Sequence, residues 1–198
     1  MAHVCPWWFC YTFDNPLRRL VHNPETMLAP WVRPGATCLD LGCGMGYFTL
    51  GLARLAGPGG RVVAVDLQEK MLAALRRRAA KAGLTGIIQP RRCAEDSLGL
   101  TDLAGTVDFA LCFWMLHEVP SIPEFLGQVL AAMRPRGALM VAEPKFHVDQ
   151  KTFASELAQA EALGWMVVER PDIWGSLSAI LAPRQAAAQG VSQDAAAA

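Results

Sequence analysis

Three glycines at alternate positions, in Leu39-Asp40-Leu41-Gly42-Cys43-Gly44-Met45-Gly46, constrain this chain more than any other feature. They follow a short apolar segment, Thr37 to Leu41, and precede one with helical spacing, Tyr47 to Ala56. A strand that turns through glycine straight into a helix is the opening unit of an open α/β sheet. Residues without a Cβ let the backbone come close to a ligand. In such sheets ligands lie beyond the carboxyl ends of the strands, where the strand order reverses. An ordinary tight turn is the other reading of the same glycines, so the rest of the chain has to decide.

The alternation continues. Gly57-Pro58-Gly59-Gly60 closes the first helix, and Arg61 to Asp66 is an apolar second strand ending in an acid. Gln68 to Ala82 places Met71, Leu72 and Leu75 on one helix face, with Gly83 as its C-terminal cap. Ile87 to Arg92 reads as a third strand, and Val107 to Phe113, apolar throughout, as a fourth covered on both faces. Ser121-Ile122-Pro123-Glu124 starts a helix ending near Met133. Gly137 to Glu143 is the fifth strand, and Lys151 to Leu163 a helix closed by Gly164. Trp165 to Arg170 and Gly175 to Leu181 have no helix between them, which predicts an antiparallel pair. The tally is five strand–helix units and a closing hairpin. That is an α/β, Rossmann-like, seven-stranded sheet, mostly parallel with a C-terminal antiparallel hairpin and helices on both faces. Residues 36–182 form this core. Before it, residues 1–35 are irregular and aromatic, with Asn15-Pro16 opening a short helix that ends near Val21 and Asn23-Pro24 opening a second turn. The Ala/Gln/Ser/Gly tail, residues 183–198, is expected to be disordered.

Composition removes several classes. Lys plus Arg total 18 and Asp plus Glu total 18, so no positive excess exists to neutralise nucleic-acid phosphates. The longest apolar run, Phe109 to Leu116, is far shorter than the roughly 18 residues a membrane helix needs. The N-terminus has no basic region and Pro6 interrupts it, so it does not read as a secretory signal. Cys38, Cys43, Cys93 and Cys112 sit in or beside core segments, as small hydrophobes rather than a disulfide framework. These features predict a cytoplasmic protein. His3-x-Cys5 with Cys10 lacks a fourth metal ligand, so no metal is expected. With few residues beyond the core, the partner is a small molecule and the protein a monomer or homodimer.

Charge then narrows the ligand. The glycines follow G-x-G-x-G, not the G-x-G-x-x-G that cradles a pyrophosphate. Asp40, inside the loop strand, would repel a diphosphate and suit a cation. Asp66 ends the second strand, where an acid pairs with ribose hydroxyls. An adenosine carrying a sulfonium and an amino group fits both acids, which points to S-adenosyl-L-methionine.

From here the sequence closely resembles the class I S-adenosylmethionine-dependent methyltransferases, especially the small ubiquinone/menaquinone-methyltransferase-like (methyltransferase type 11) group, over about residues 36 to 182. The resemblance implies that the run from Asp40 to Gly46, with Gly42, Cys43 and Gly44, contacts the amino-acid part of the cofactor. It implies that Asp66 binds the ribose, with Leu67 beside the adenine. Cys93-Ala94-Glu95-Asp96 falls at the family's adenine segment, where Ala94 would offer its N–H and Glu95 or Asp96 would accept from the exocyclic amine. Phe113, ending the fourth-strand motif, would lie at the cofactor edge. Trp114 to Val119 resembles the segment after it, and Arg134-Pro135-Arg136-Gly137 the turn into strand five.

Methyl transfer from a sulfonium is an in-line displacement, for which holding the reactants in line can supply ~7–11 kcal/mol of the barrier. A base then adds only ~10²–10⁴-fold. His117 is the candidate base or substrate contact; capping the next helix or pairing with Glu118 is the alternative. Glu143, before Pro144, is a second pocket candidate. Trp7, Trp8, Phe9 and Tyr11 read either as a lid, with Tyr11 bonding the substrate, or as a strap packed on the core. A thiol or metalloid S-methyltransferase using Cys5, Cys10 or Cys43, and a catalytically silent S-adenosylmethionine-binding module, are the competing functions.

Overall fold

The computed structural model describes residues 18–184. Expectations about His3, Cys5, Trp7, Trp8, Phe9, Cys10, Tyr11, the cap at Asn15 and the tail from 185 lie outside the described residues. In chain order the elements are α1 (Arg18–Val21), α2 (Pro24–Leu28), β1 (Thr37–Leu41), α3 (Tyr47–Ala56) and β2 (Arg61–Asp66). Then come α4 (Glu69–Lys81), β3 (Ile88–Arg92), β4 (Val107–Phe113), α5 (Ile122–Ala132) and β5 (Met133–Pro144). The chain closes with α6 (Gln150–Ala162), β6 (Trp165–Glu169) and β7 (Ser176–Pro183).

The strands form one sheet in the order β3-β2-β1-β4-β5-β7-β6. The first five pair in parallel, while β7 runs antiparallel between β5 and β6. Side chains alternate across the sheet. Leu39 and Leu41 of β1 enter the core under α5 and α6, and Cys38 enters the core under α2, α3 and α4. Strand β4 divides likewise, Ala110 and Cys112 to one face, Phe109 and Leu111 to the other. That is why its sequence is apolar without alternation.

Local chemistry sets the helix starts. Asn23 accepts from the Glu25 and Thr26 amides with Pro24 at the first helical position, and Ser121 accepts from Glu124 ahead of α5. Three expectations need correction. First, the described chain has no α-helix between β3 and β4, only a 3-10 turn at Thr101–Leu103. Leu98, Leu100 and Leu103 are buried there without a helical stripe. Second, β5 starts at Met133 rather than Gly137. Val107 pairs Met133, then the register shifts so that Phe109 pairs Ala138. A Cβ on Gly137 would lie 2.8 Å from the Val107 carbonyl oxygen, so only glycine passes this irregularity. Third, β7 extends through Pro183, which pairs with Trp165, so the sheet runs past the expected boundary at 182.

Candidate functional site

Strand β1 lies between β2 and β4, so the strand order reverses at its carboxyl end. The glycine loop sits there. Gly42, Gly44 and Gly46 have φ of +67°, +52° and +86°. A Cβ on Gly46 would lie 2.3 Å from Leu75 Cδ1, and one on Gly42 would lie 3.0 Å from Met115 Cγ. Around Gly44 nothing lies within 4 Å, so that position borders open space.

The loop hangs on β2. Gly42 and Cys43 donate to the Val65 carbonyl at 2.9 and 3.0 Å, and Gly44 donates to Asp66 Oδ2 at 2.9 Å. Asp66 Oδ1 accepts from the Gln68 amide at 2.8 Å. Burial raises the Asp66 carboxyl, and these two amides oppose the shift. Each carboxylate oxygen keeps a further lone pair, enough for a pair of ribose hydroxyls. With these three amides committed, the loop presents no row of N–H groups to a diphosphate, and its remaining acceptors suit an ammonium. The cradle therefore fits an adenosine-bearing cation.

Asp40 behaves differently from the expectation of a carboxylate turned towards a cation. It is 3% exposed and accepts a hydrogen bond from Thr49 Oγ1 of α3. Burial pushes its carboxyl up to about 7, the Thr49 bond opposes that, and Asp66 adds to it. Its place is inside the core, tying the loop strand to the helix that follows. Cys43 is also buried, and burial with Asp40 and Asp66 nearby drives its thiol well above the ordinary value. It is no thiolate nucleophile.

At the segment expected to face an adenine, the Cys93 amide donates to the Asp66 carbonyl, which brings this turn against Asp66. The Ala94 amide does not wait for an adenine: it closes a turn on the Ser97 carbonyl at 2.9 Å. Leu67 is half-buried beside Asp66, and Glu95 is exposed on the turn. Phe113 ends β4 in an aromatic cluster, its ring centroid 4.4 Å from that of Phe48 and 5.3 Å from those of Trp114 and His22. Trp114 holds φ +58°, a backbone state bulky residues rarely adopt, pinned by its amide on Ala142 and its indole N–H on Ser176 Oγ. Arg18 lies across the same rings, its guanidinium carbon 4.6 Å from the Tyr47 centroid.

His117 follows on a 3-10 turn, Leu116–Glu118. It does not cap α5, whose cap is Ser121, while the Glu118 carboxylate on the same turn favours its charged form. Its Nδ1 is hydrogen-bonded to Glu143 Oε2. Glu143, fully buried at the end of β5, also accepts the Leu116 amide at 2.8 Å through Oε1. Burial pulls the imidazole down, but the carboxylates of Glu143, Glu118 and Glu156 together outweigh it, Glu143 foremost, and the net shift is upward. The structure thus joins two candidates that the sequence held apart. It also adds residues that sequence reading missed: His147, its ring 4.9 Å from His117, and Glu156 of α6, 3% exposed. Glu156 was legible in principle, because it interrupts the core stripe Phe153, Leu157, Ala160.

Comparison with known proteins agrees with this geometry. The methyltransferase domain family matches residues 33–181. A demethylmenaquinone methyltransferase of Symbiobacterium thermophilum is 33% identical over 111 residues, which cover 56% of this chain and 43% of that protein. Nocamycin O-methyltransferase of Saccharothrix syringae is 32% identical over 112 residues, 57% of this chain and 39% of that protein. The match thus spans less than half the length of these two relatives. An S-adenosylmethionine-dependent methyltransferase structure from Aquifex aeolicus shares the fold at a TM-score of 0.80 and 23% identity, covering 90% of this chain and 98% of that one. This chain belongs to the methyltransferase domain family.

Proposed function

We propose that this chain moves a methyl group from S-adenosylmethionine to a small-molecule acceptor whose nucleophilic atom carries a proton. One juxtaposition carries the reading. Met115 packs on Gly42 of the cradle, and two residues later His117 is held by a fully buried carboxylate. A base with a fixed ring thus follows, two residues along the chain, the methionine that packs on the loop.

When bound, the cofactor supplies an electrophilic methyl carbon on a sulfonium. The chain's own residues hold and orient. Gly42, Cys43 and Gly44 cradle the amino-acid part, Asp66 takes the ribose, and Leu67 with the turn at Ala94 and Glu95 flanks the adenine. Phe113 and its aromatic neighbours keep water from the reacting side. Glu143, accepting from Nδ1, leaves Nε2 of His117 as the nitrogen that takes the acceptor's proton. A base is superfluous for a thiolate acceptor, so a built one favours a hydroxyl, amine or acidic carbon. The buried thiol of Cys43 also speaks against a metalloid held in the loop.

Among the described residues no helix is long and apolar enough to cross a membrane, and the four described cysteines are free thiols. We place the enzyme in the reducing cytoplasm on the strength of those thiols. A radiolabelled-methyl screen of cell metabolites, with mass identification of the product, tests the proposal. Tight cofactor binding without labelling of any metabolite would favour a silent binding module instead.

A further inference from the structure

The segment between α1 and α2 carries a histidine that neither the cradle nor the His117 site uses. His22 is 2% exposed, and every polar group it has but one is engaged. Its amide donates to the Arg18 carbonyl at 2.7 Å, and its own carbonyl accepts from the Tyr47 hydroxyl at 2.8 Å. Its Nε2 lies 2.8 Å from the Trp174 carbonyl oxygen. A carbonyl can only accept, so Nε2 carries the proton and the neutral ring has its lone pair on Nδ1. That Nδ1 is buried and has no hydrogen-bond partner among the described residues. Burial foremost, and the Arg18 guanidinium with it, hold the imidazole below its ordinary value, against the pull of the Trp174 carbonyl. Nδ1 is therefore a buried, unprotonated acceptor to which no described residue donates.

Its neighbours stand at the cradle. The imidazole centroid lies 5.3 Å from those of Phe113 and Trp114, edge to face with both. Phe113 follows Cys112, the partner of Leu41, so it stands level with Gly42, the first glycine of the loop. Tyr47, whose hydroxyl holds the His22 carbonyl, directly follows Gly46. On the other side, the Trp114 indole N–H donates to Ser176 Oγ, and Ser176 donates at 3.5 Å to the same Trp174 carbonyl that His22 uses. The ring is thus fixed from α1, α3 and the segment before β7, in an aromatic wall where phenylalanine would pack without an unmet acceptor. A polar atom held that firmly and left over is a recognition point. We infer that His22 is a specificity-determining residue of the methyl acceptor's site, its Nδ1 accepting a hydrogen bond from a hydroxyl or N–H group of the molecule to be methylated. This rests on the proposed methyl transfer and adds to it a contact apart from His117. His117 takes the proton of the reacting atom, whereas His22 orients the molecule and takes none.

The contact is read on the nitrogen itself. Imidazole ¹⁵N spectra of the full chain are recorded free, with phenol, and with anisole, which has the same ring and no donor. The free chain should show Nδ1 of His22 as a bare, unprotonated nitrogen; phenol should move it towards the hydrogen-bonded position, and anisole should not. A protonated Nδ1 overturns the inference, as does a bare Nδ1 that phenol leaves in place. So does an Nδ1 already hydrogen-bonded in the free chain and indifferent to phenol, which is the signature of a buried water. With the acceptor found by the methyl screen, His22→Phe should raise KM by roughly 3- to 10-fold and change kcat less. His22→Asn, which keeps an acceptor oxygen near the place of Nδ1, should recover part of that loss. A fall in kcat at unchanged KM in both variants marks a structural role and also overturns it. A phenol-responsive Nδ1 in a chain that methylates nothing upholds the contact and refutes the enzymatic reading alone, whereas methylation with unaltered His22→Phe kinetics does the reverse.

Discussion

Asp40→Asn should make this protein more stable at neutral and alkaline pH, because the carboxyl it removes is buried and shifted upward. Asparagine keeps an oxygen for the Thr49 hydroxyl to donate to, so the bond between β1 and α3 survives. The folded chain holds the Asp40 proton up to about 7, whereas the unfolded chain releases it near 3.8. Below the unfolded value both states are protonated and the residue makes no difference. Between the two values the folded state binds more protons, so stability falls as pH rises. Above about 7 both states are ionised and the full difference is lost. The gap is roughly three units, and at 1.36 kcal/mol per unit that is at most ~4 kcal/mol. Urea unfolding, followed by tryptophan fluorescence at several values between about pH 4 and pH 8, gives the stability of each chain. The wild-type-minus-variant difference should become less favourable to the wild type by about 2–4 kcal/mol across that range. The upward-shifted Glu156 and His117 have the same sign but are present in both chains, so their direct contributions cancel in the difference. A difference flat with pH, or one rising with it, would refute the reasoning that burial dominates at Asp40.

The remaining predictions concern the cradle and the base. Asp66→Ala removes the clamp on Gly44 and the proposed ribose acceptor together, and calorimetry should show S-adenosylmethionine affinity reduced at least ~10-fold, about 1.4 kcal/mol; unchanged affinity counts against the site. His117→Ala should lower the methylation rate by ~10²–10⁴-fold with a smaller effect on cofactor affinity, measured by initial rates and calorimetry side by side. Glu143→Gln takes away the carboxylate that raises the imidazole, so the His117 midpoint should drop in an NMR titration; a rise would contradict the ion pair. Gly46→Ala combines a left-handed φ with a 2.3 Å clash on Leu75 and should cost about 1–3 kcal/mol in urea unfolding, partly recovered in a double variant with Leu75→Ala.

The architecture was legible because it is written in local periodicities. Strands covered on both faces read as unbroken apolar runs, helices carry a stripe, and glycine or proline marks each junction. Where these signals failed, a longer-range cause prevailed. Strand β5 begins at Met133 and runs through Arg134-Pro135-Arg136-Gly137, which looks like a turn, because a register shift against β4 carries the irregular residues. The stretch after Cys93 has no α-helix because isolated leucines, not a stripe, anchor it.

The sequence alone determined the sheet class, the place of the ligand loop and the identity of the acid at the end of β2, since each depends on residues near one another in the chain. Only the tertiary structure decided what the charges do. Asp40 is sealed against Thr49, and the Ala94 amide is consumed by Ser97. His117 meets Glu143 from 26 residues away. Burial and electrostatic coupling are properties of where segments meet in space, and no local pattern of residues encodes the meeting.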